Sequence, residues 1–438
     1  MATNNNLMIN FLQMVSKIER KEIRAVFFSF LFVVVLMTAY YILRPVRDAM
    51  ASDWTDAEVS WLWTLNFFIS TGIVALYGVA VSKFRFRLLV PTMYGIFAGS
   101  FVMFYLLGSI SEDRIIIDKA FYVWVSVFSL FHISIFWSFM SELFSKEQSG
   151  RLFGIIAVGA SVGGLIGPSI TAFFSVSLGI DNLMLIGSMM LLIPIPIALY
   201  LQSLKASDLN NKTLDLTQTN QPIGGNPIAG FKMLFSNPYL MSIALFIFLY
   251  TGISSFIYFE LKNLLSDLSR PERSAIWAQM DLAVNILSIS IGLFATGRIV
   301  SRFGMPVTIA LVPAMVCIGL LVLAVSPLLG VVMILQIIRR AGNYGVTRPA
   351  REMLFTLVDR ETRFKAKPLI AIVAYRGSDM LMAWLFTGLT QGLGLGLAAV
   401  AAIGAGIAAL WSLVGVYLGR WFERENPDRD SIIFDNNV

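Results

Sequence analysis

Residues 25–50 read AVFFSFLFVVVLMTAYYILRPVRDAM. The part from Ala25 to Leu43 is apolar and long enough to cross a bilayer, whose hydrocarbon core of about 30 Å takes roughly 20 helical residues. It also exceeds the roughly 7 to 15 apolar residues of a secretory signal core. A polar leader holding Glu19 and Glu22 precedes it, so it reads as a retained helix. At its far end Arg44, Arg47 and Asp48 surround Pro45. The stretch VTRPAREML at 346–354 repeats this Arg-Pro-x-Arg-acid pattern after another apolar run.

The rest of the chain fits that first reading. Of 438 residues 57% are hydrophobic and 14% charged, with a mean hydropathy of +0.75, against about 25% charged in soluble domains. This is an integral membrane protein. The formal charge of +6 comes from Lys and Arg lying mostly between apolar spans, which argues against a nucleic-acid partner. Cys317 is the only cysteine, so neither an internal disulfide nor a cysteine metal site can form. There is no phosphate-binding Gly-x-x-x-x-Gly-Lys-Ser loop, no metal-ligand cluster and no nucleophile–base pair, so no cofactor and no bond chemistry are expected. The expected partners are membrane lipid and a small anionic substrate, with no obligatory protein partner.

Apolar windows predict twelve helices, at about 25–46, 59–81, 88–109, 120–142, 154–177, 182–202, 239–260, 275–296, 305–327, 328–356, 368–388 and 396–419. The polar segment 203–238 reads as a linker between an N-terminal six-helix half (25–202) and a C-terminal one (239–419), with a leader 1–24 and a tail 420–438. Basic residues accumulate on the cytoplasmic side of membranes. Lys17, Arg20, Lys21 and Arg24, then Lys83, Arg85 and Arg87, then the group from Arg348 to Lys367, therefore predict that leader, linker, tail and both termini are cytoplasmic.

The halves resemble each other. GVAVSKF at 78–84 and GRIVSRF at 297–303 occupy equivalent loops, and SELFSKEQSGR at 141–151 matches REMLFTLVDRETR at 351–363, aligning Glu142 with Glu352. The fold class expected is all-α integral membrane, with twelve transmembrane helices in two pseudo-symmetric six-helix halves and a site near the midplane where the halves meet. This is similar to transporters of the major-facilitator type.

Ionisable groups inside spans are costly and point to function. Arg339 and Arg340 follow about eleven residues of the tenth helix, roughly 17 Å deep at 1.5 Å per residue. Being adjacent, they face different ways, and they are the first candidates for binding an anion. Arg376 and Asp379 share a face of the eleventh helix, as a mutually neutralising pair or as working groups. Asp281, with Gln279 and Asn285 nearby, either takes a coupling ion or a substrate hydroxyl, or pairs with Arg339 or Arg340. Histidine ordinarily titrates in the range that suits proton coupling, so His132 reads as a proton carrier or as a hydrogen-bonded packing residue. In the two RPxR motifs Arg44 with Arg47, and Arg348 with Arg351, put forked guanidiniums on one helix face, suited to phosphate or carboxylate. They either guard opposite mouths or anchor the helices at the interface, with Asp48 and Glu352 as salt-bridge partners.

YILRPVRDAM, FWSFMSELFSKEQSGRLFG and NYGVTRPAREMLFTLVDRETRFKAK together resemble the ATP/ADP antiporter family of nucleotide transporters. The match runs through Arg47 and Asp48, through Glu147, and through Tyr344, Pro349, Arg351, Glu352, Met353 and Asp359. Arg376 approximates a basic position of that family. The chain departs from the pattern at Arg348 and Ala371, and the acidic residue of the seventh helix stands displaced, at Glu260. The resemblance implies a secondary transporter of a bacterial-type inner membrane, exchanging ATP, ADP or another phosphorylated organic anion by alternating access. Arg44, Arg47, Arg339, Arg340, Arg348, Arg351 and Arg376 would meet the negative groups, and Asp48, Glu352 and Asp379 would pair with arginines when substrate is absent. Two other readings fit the residues: a proton-coupled exporter of another metabolite using Asp281, His132 or Asp379, and a membrane receptor that does not transport.

Overall fold

The structure is a computed structural model that describes residues 18–83, 86–207, 209, 236–294, 296–358 and 370–425. The leader to residue 17, nearly all of the linker, the tail beyond 425 and the basic group Arg360, Arg363, Lys365 and Lys367 lie outside the described residues. No strand occurs among the described residues.

In chain order the helices are α1 Ile23–Met50, α2 Asp56–Lys83, α3 Phe86–Ile110, α4 Ile115–Leu143, α5 Lys146–Met190, α6 Pro194–Ser207, α7 Pro238–Leu264, α8 Arg270–Phe294, α9 Thr296–Val325, α10 Leu329–Gly342, α11 Ser378–Thr387 and α12 Leu397–Glu425. Among the described residues eight stretches are long and apolar enough to cross a membrane, and one, Glu147–Lys205, has 59 residues, enough for two crossings. These are parted by Gly179 at φ 76 and ψ 163, a conformation that costs glycine little and other residues much. The 28-residue α2 adds another crossing. Two more are helices interrupted by π turns, α10 running on through Asn343–Thr347 to Leu354, and α11 flanked by Ala371–Gly377 and Gly388–Gly392. The result is an all-α fold of twelve membrane helices, six up to Ser207 and six from Pro238 on.

Helix ends differ from the apolar windows where polar residues do the capping. α5 starts at Lys146 because Ser145 and Gln148 form a capping box: Ser145 Oγ accepts from the Gln148 amide at 3.3 Å, and Gln148 Oε1 accepts from the Ser145 amide at 3.0 Å. Thr55 and Glu58 do the same for α2. Asn237 caps α7 by accepting from the amides of Tyr239 and Leu240, with Pro238 in the first turn, where its missing N–H costs nothing. Hydropathy sees none of these polar turns.

Packing divides the chain into two compact units. Of the described residues, one unit takes those up to Met50, those within Ile69–Pro222 and Ser269–Leu282, and the other those within Ala51–Phe68 and Ile223–Leu268 and from Ala283 on. In the first unit α1 lies chiefly along α5, and in the second α9 lies chiefly along α12. The α1–α5 approach rests on Gly159, Gly163 and Gly167, spaced four apart so that all face α1. A Cβ at Gly167 would stand 2.6 Å from the Thr38 carbonyl oxygen, and one at Gly163 would stand 2.8 Å from Met37 Cβ and still closer to the Val34 carbonyl. Backbone cannot yield as a side chain can. Gly163→Val should therefore cost at least the ~1–3 kcal/mol of an overpacked core, whereas the same change at Gly154, where nothing lies within 4 Å, should not. Thermal midpoints of the two variants in one detergent check this.

Candidate functional site

Each unit gathers arginines and tyrosines, in the first with their charge balanced and in the second with arginines that no described carboxylate meets. In the first unit Arg44 and Arg47 project from the last two turns of α1, where Pro45 removes the amide that would bond the Tyr41 carbonyl. Arg44 Nη1 lies 3.5 Å from Asp281 Oδ1 and its Nε 3.6 Å from Asp48 Oδ2. Arg47 Nε donates to Asp48 Oδ1 at 3.0 Å, Nη1 donates to Ser126 Oγ at 3.1 Å, and the guanidinium stands 5.3 Å from the Tyr122 ring centre. Asp48 and Asp281 are buried. Two cations thus face two carboxylates. Asp281 meets Arg44, a partner within its own unit, since the Ser269–Leu282 segment packs with α1.

His132 is 4% exposed, donates from Nδ1 to the Phe128 carbonyl at 3.2 Å and stacks on Tyr40 with ring centres 4.3 Å apart. Glu142 pairs with Lys205 at 2.6 Å, and Glu147, exposed, accepts from Ser145 Oγ at 3.0 Å. These three are engaged with their own surroundings.

In the second unit Arg339, Arg340 and Arg351 are 3%, 4% and 6% exposed. Arg339 spends Nε and Nη2 on Gln336 Oε1, at 3.2 and 2.7 Å, and lies 5.8 Å from the Tyr250 ring centre. Arg351 lies 5.7 Å from the Tyr375 ring centre. The Nη1 of each is buried without a hydrogen-bond partner, and neither has an ion pair to a described carboxylate. Tyr250 is within electrostatic reach of both arginines and of Tyr344 and Tyr375. The π turn brings this about. Twelve residues of regular helix would leave Arg351 about 120° from the face of Arg339, and one residue absorbed in the turn reduces that to about 20°. Arg376 and Asp379 form the pair expected from their spacing, at 3.9 Å, with Ser255 Oγ 3.5 Å from the carboxylate. Arg348 and Glu352 are exposed.

Residues that the sequence left without a role complete the picture. Lys262, at the end of α7, pairs with Asp56 at 2.8 Å and donates to the Trp54 carbonyl at 2.7 Å, both side chains being buried. Arg270 pairs with Asp118 at 2.7 Å, while Arg114 holds Asp181 with two hydrogen bonds. Arg151 binds the wholly buried Glu22 in the same forked manner. Each had a signal, a charged residue at the end of an apolar window, but no signal of its partner.

The arrangement offers a fixed, dry pair of guanidiniums ringed by phenols, which suits a phosphate or carboxylate and offers no nucleophile. A family model described as Major Facilitator Superfamily matches residues 26–351. No curated protein matches the sequence. Among solved structures, a bacterial homologue of the human lysosomal transporter Spinster, inward-facing and unoccupied, aligns with a TM-score of 0.55 and 15% identity over 91% of this chain and 96% of that one. The nucleoside transporter NupG aligns at 0.58 and 14%, over 91% and 99%, and a point mutant of it at 0.59 and 12%, over 91% and 100%. At these identities the likeness is one of fold.

Proposed function

This chain belongs to the Major Facilitator Superfamily, a membrane transporter and not an enzyme, and we propose that its cargo is a phosphorylated organic anion of the nucleotide kind, moved by alternating access. One observation carries the reading. Arg339 and Arg351 are buried cations whose charge no described carboxylate balances, and a charge kept inside a membrane protein at such cost is one that is used. Forked guanidiniums bind phosphate oxygens in pairs, and the tyrosines beside them suit an aromatic base. The resemblance of the RPxR segments to ATP/ADP antiporters favours the same class.

In this reading the chain sits in a bacterial-type inner membrane with both termini cytoplasmic, so the turn from Met50 to Asp56 and the end of α7 at Leu264 lie on the outer side. Arg44 and Arg47, already neutralised by Asp48 and Asp281, hold the outer end of α1 and do not supply free charge. The test is uptake of labelled ATP by proteoliposomes, with ADP, inorganic phosphate, a sugar phosphate and adenosine as competitors. Saturable uptake suppressed by phosphorylated compounds and not by adenosine is expected. Binding without flux would make the chain a receptor.

A further inference from the structure

The least comfortable group in the described structure is Glu260, one turn from the end of α7. It is 1% exposed, and every residue from 255 to 262 is buried. Both of its carboxylate oxygens are buried and neither accepts a hydrogen bond. The charged neighbours offer it nothing. Asp56, on α2, is the charged group acting on it and has the same sign. Lys262, two residues on and so on another face of the helix, is taken up by Asp56 and the Trp54 carbonyl, with Glu58 acting on it as well. Asp56 in turn accepts from Thr390 at 2.9 Å and Asn263 at 3.4 Å. Of the other segments packed against α7, 51–53 carries only the exposed Asp53, α10 carries Arg339 and Arg340 at its opposite end, 370–392 carries Arg376 and Asp379, which face each other, and α12 has no charged residue before Arg420.

An ionised carboxylate stripped of water, hydrogen bonds and cations is among the most expensive things a protein interior can hold. A proton removes that expense. We propose that Glu260 is a proton-binding site, loaded in the arrangement seen here and emptied when the outer ends of α2 and α7 part, so that cargo movement is linked to proton movement. The step is one acid ionisation: the O–H bond breaks, the proton leaves to water, and the electron pair stays on the carboxylate, which the same water then hydrates. The Asp56–Lys262 pair is the clasp that keeps water out, and it is self-sufficient, which is why Glu260 must find its neutrality elsewhere. The consequence for transport rests on the proposed function, but the site does not, and its test uses no cargo.

Full-length protein in lipid at neutral pH is compared by infrared spectroscopy with Glu260→Gln, which has the shape of the protonated acid and should fold as well. Wild type should show a protonated-carboxyl stretching band that shifts in D2O and is lost in the variant. In parallel, on a Cys317→Ser background, a thiol introduced by Ser52→Cys at a site 8% exposed reports opening of the outer end. Its labelling rate should rise more steeply with pH when position 260 is Glu than when it is Gln, for which only the thiol's own ionisation remains. Identical carboxyl bands in wild type and variant, or identical pH profiles of labelling, would overturn the proposal.

Discussion

Arg351→Gln and Arg339→Gln should each weaken binding of a phosphorylated cargo by about 30-fold or more, while the thermal midpoint of the empty protein falls little or not at all. The first half follows from the ~2–5 kcal/mol lost when one partner of a buried charged hydrogen bond is truncated, at 1.4 kcal/mol per tenfold. The second half follows from what these arginines lack. No described carboxylate depends on either, so removing the charge strands no counter-charge, and Arg339 gives up its bonds to Gln336, an amide that glutamine at 339 can still serve, and its contact with the Tyr250 ring. A merely structural arginine would show the reverse, with stability lost and affinity kept. Titration of labelled ATP and a melting curve on the same samples separate the two.

Lys262→Met should behave in the opposite way. It leaves Asp56, 5% exposed, with hydrogen bonds from Thr390 and Asn263 but no cation, and breaking a buried ion pair from one side costs about 3–5 kcal/mol. Adding Asp56→Asn to that variant should recover most of the loss, because a buried pair replaced on both sides is often nearly neutral. If the double variant melts as low as the single one, the pair is not the unit that matters at this end of α7.

The contrast between these sites explains what could be read from the chain alone. Apolar windows and the duplicated loops carry the twelve-helix fold, because membrane helices satisfy their own backbone and announce themselves by length and composition. Local spacing carries the Arg376–Asp379 pair, three residues apart on one helix. Long-range partners are another matter. Nothing in the spacing links Asp281 to Arg44 or Asp56 to Lys262, since those meetings depend on which segment of a helix packs in which unit. The π turn at Asn343–Thr347, which sets Arg351 on the face of Arg339, leaves no mark in hydropathy either. The arginines could be singled out from sequence because charge within a span is rare. Which of them lacks a counter-charge could not.

The most direct test of the account is the affinity of the purified protein for adenosine, AMP, ADP and ATP, measured at one salt concentration. These share a base and sugar and differ only in phosphate. If Arg339 and Arg351 hold the cargo, binding is absent or weak for adenosine, appears with phosphate, and is lost again in Arg351→Gln. Adenosine bound as tightly as the phosphorylated compounds, with the variant unaffected, would contradict it.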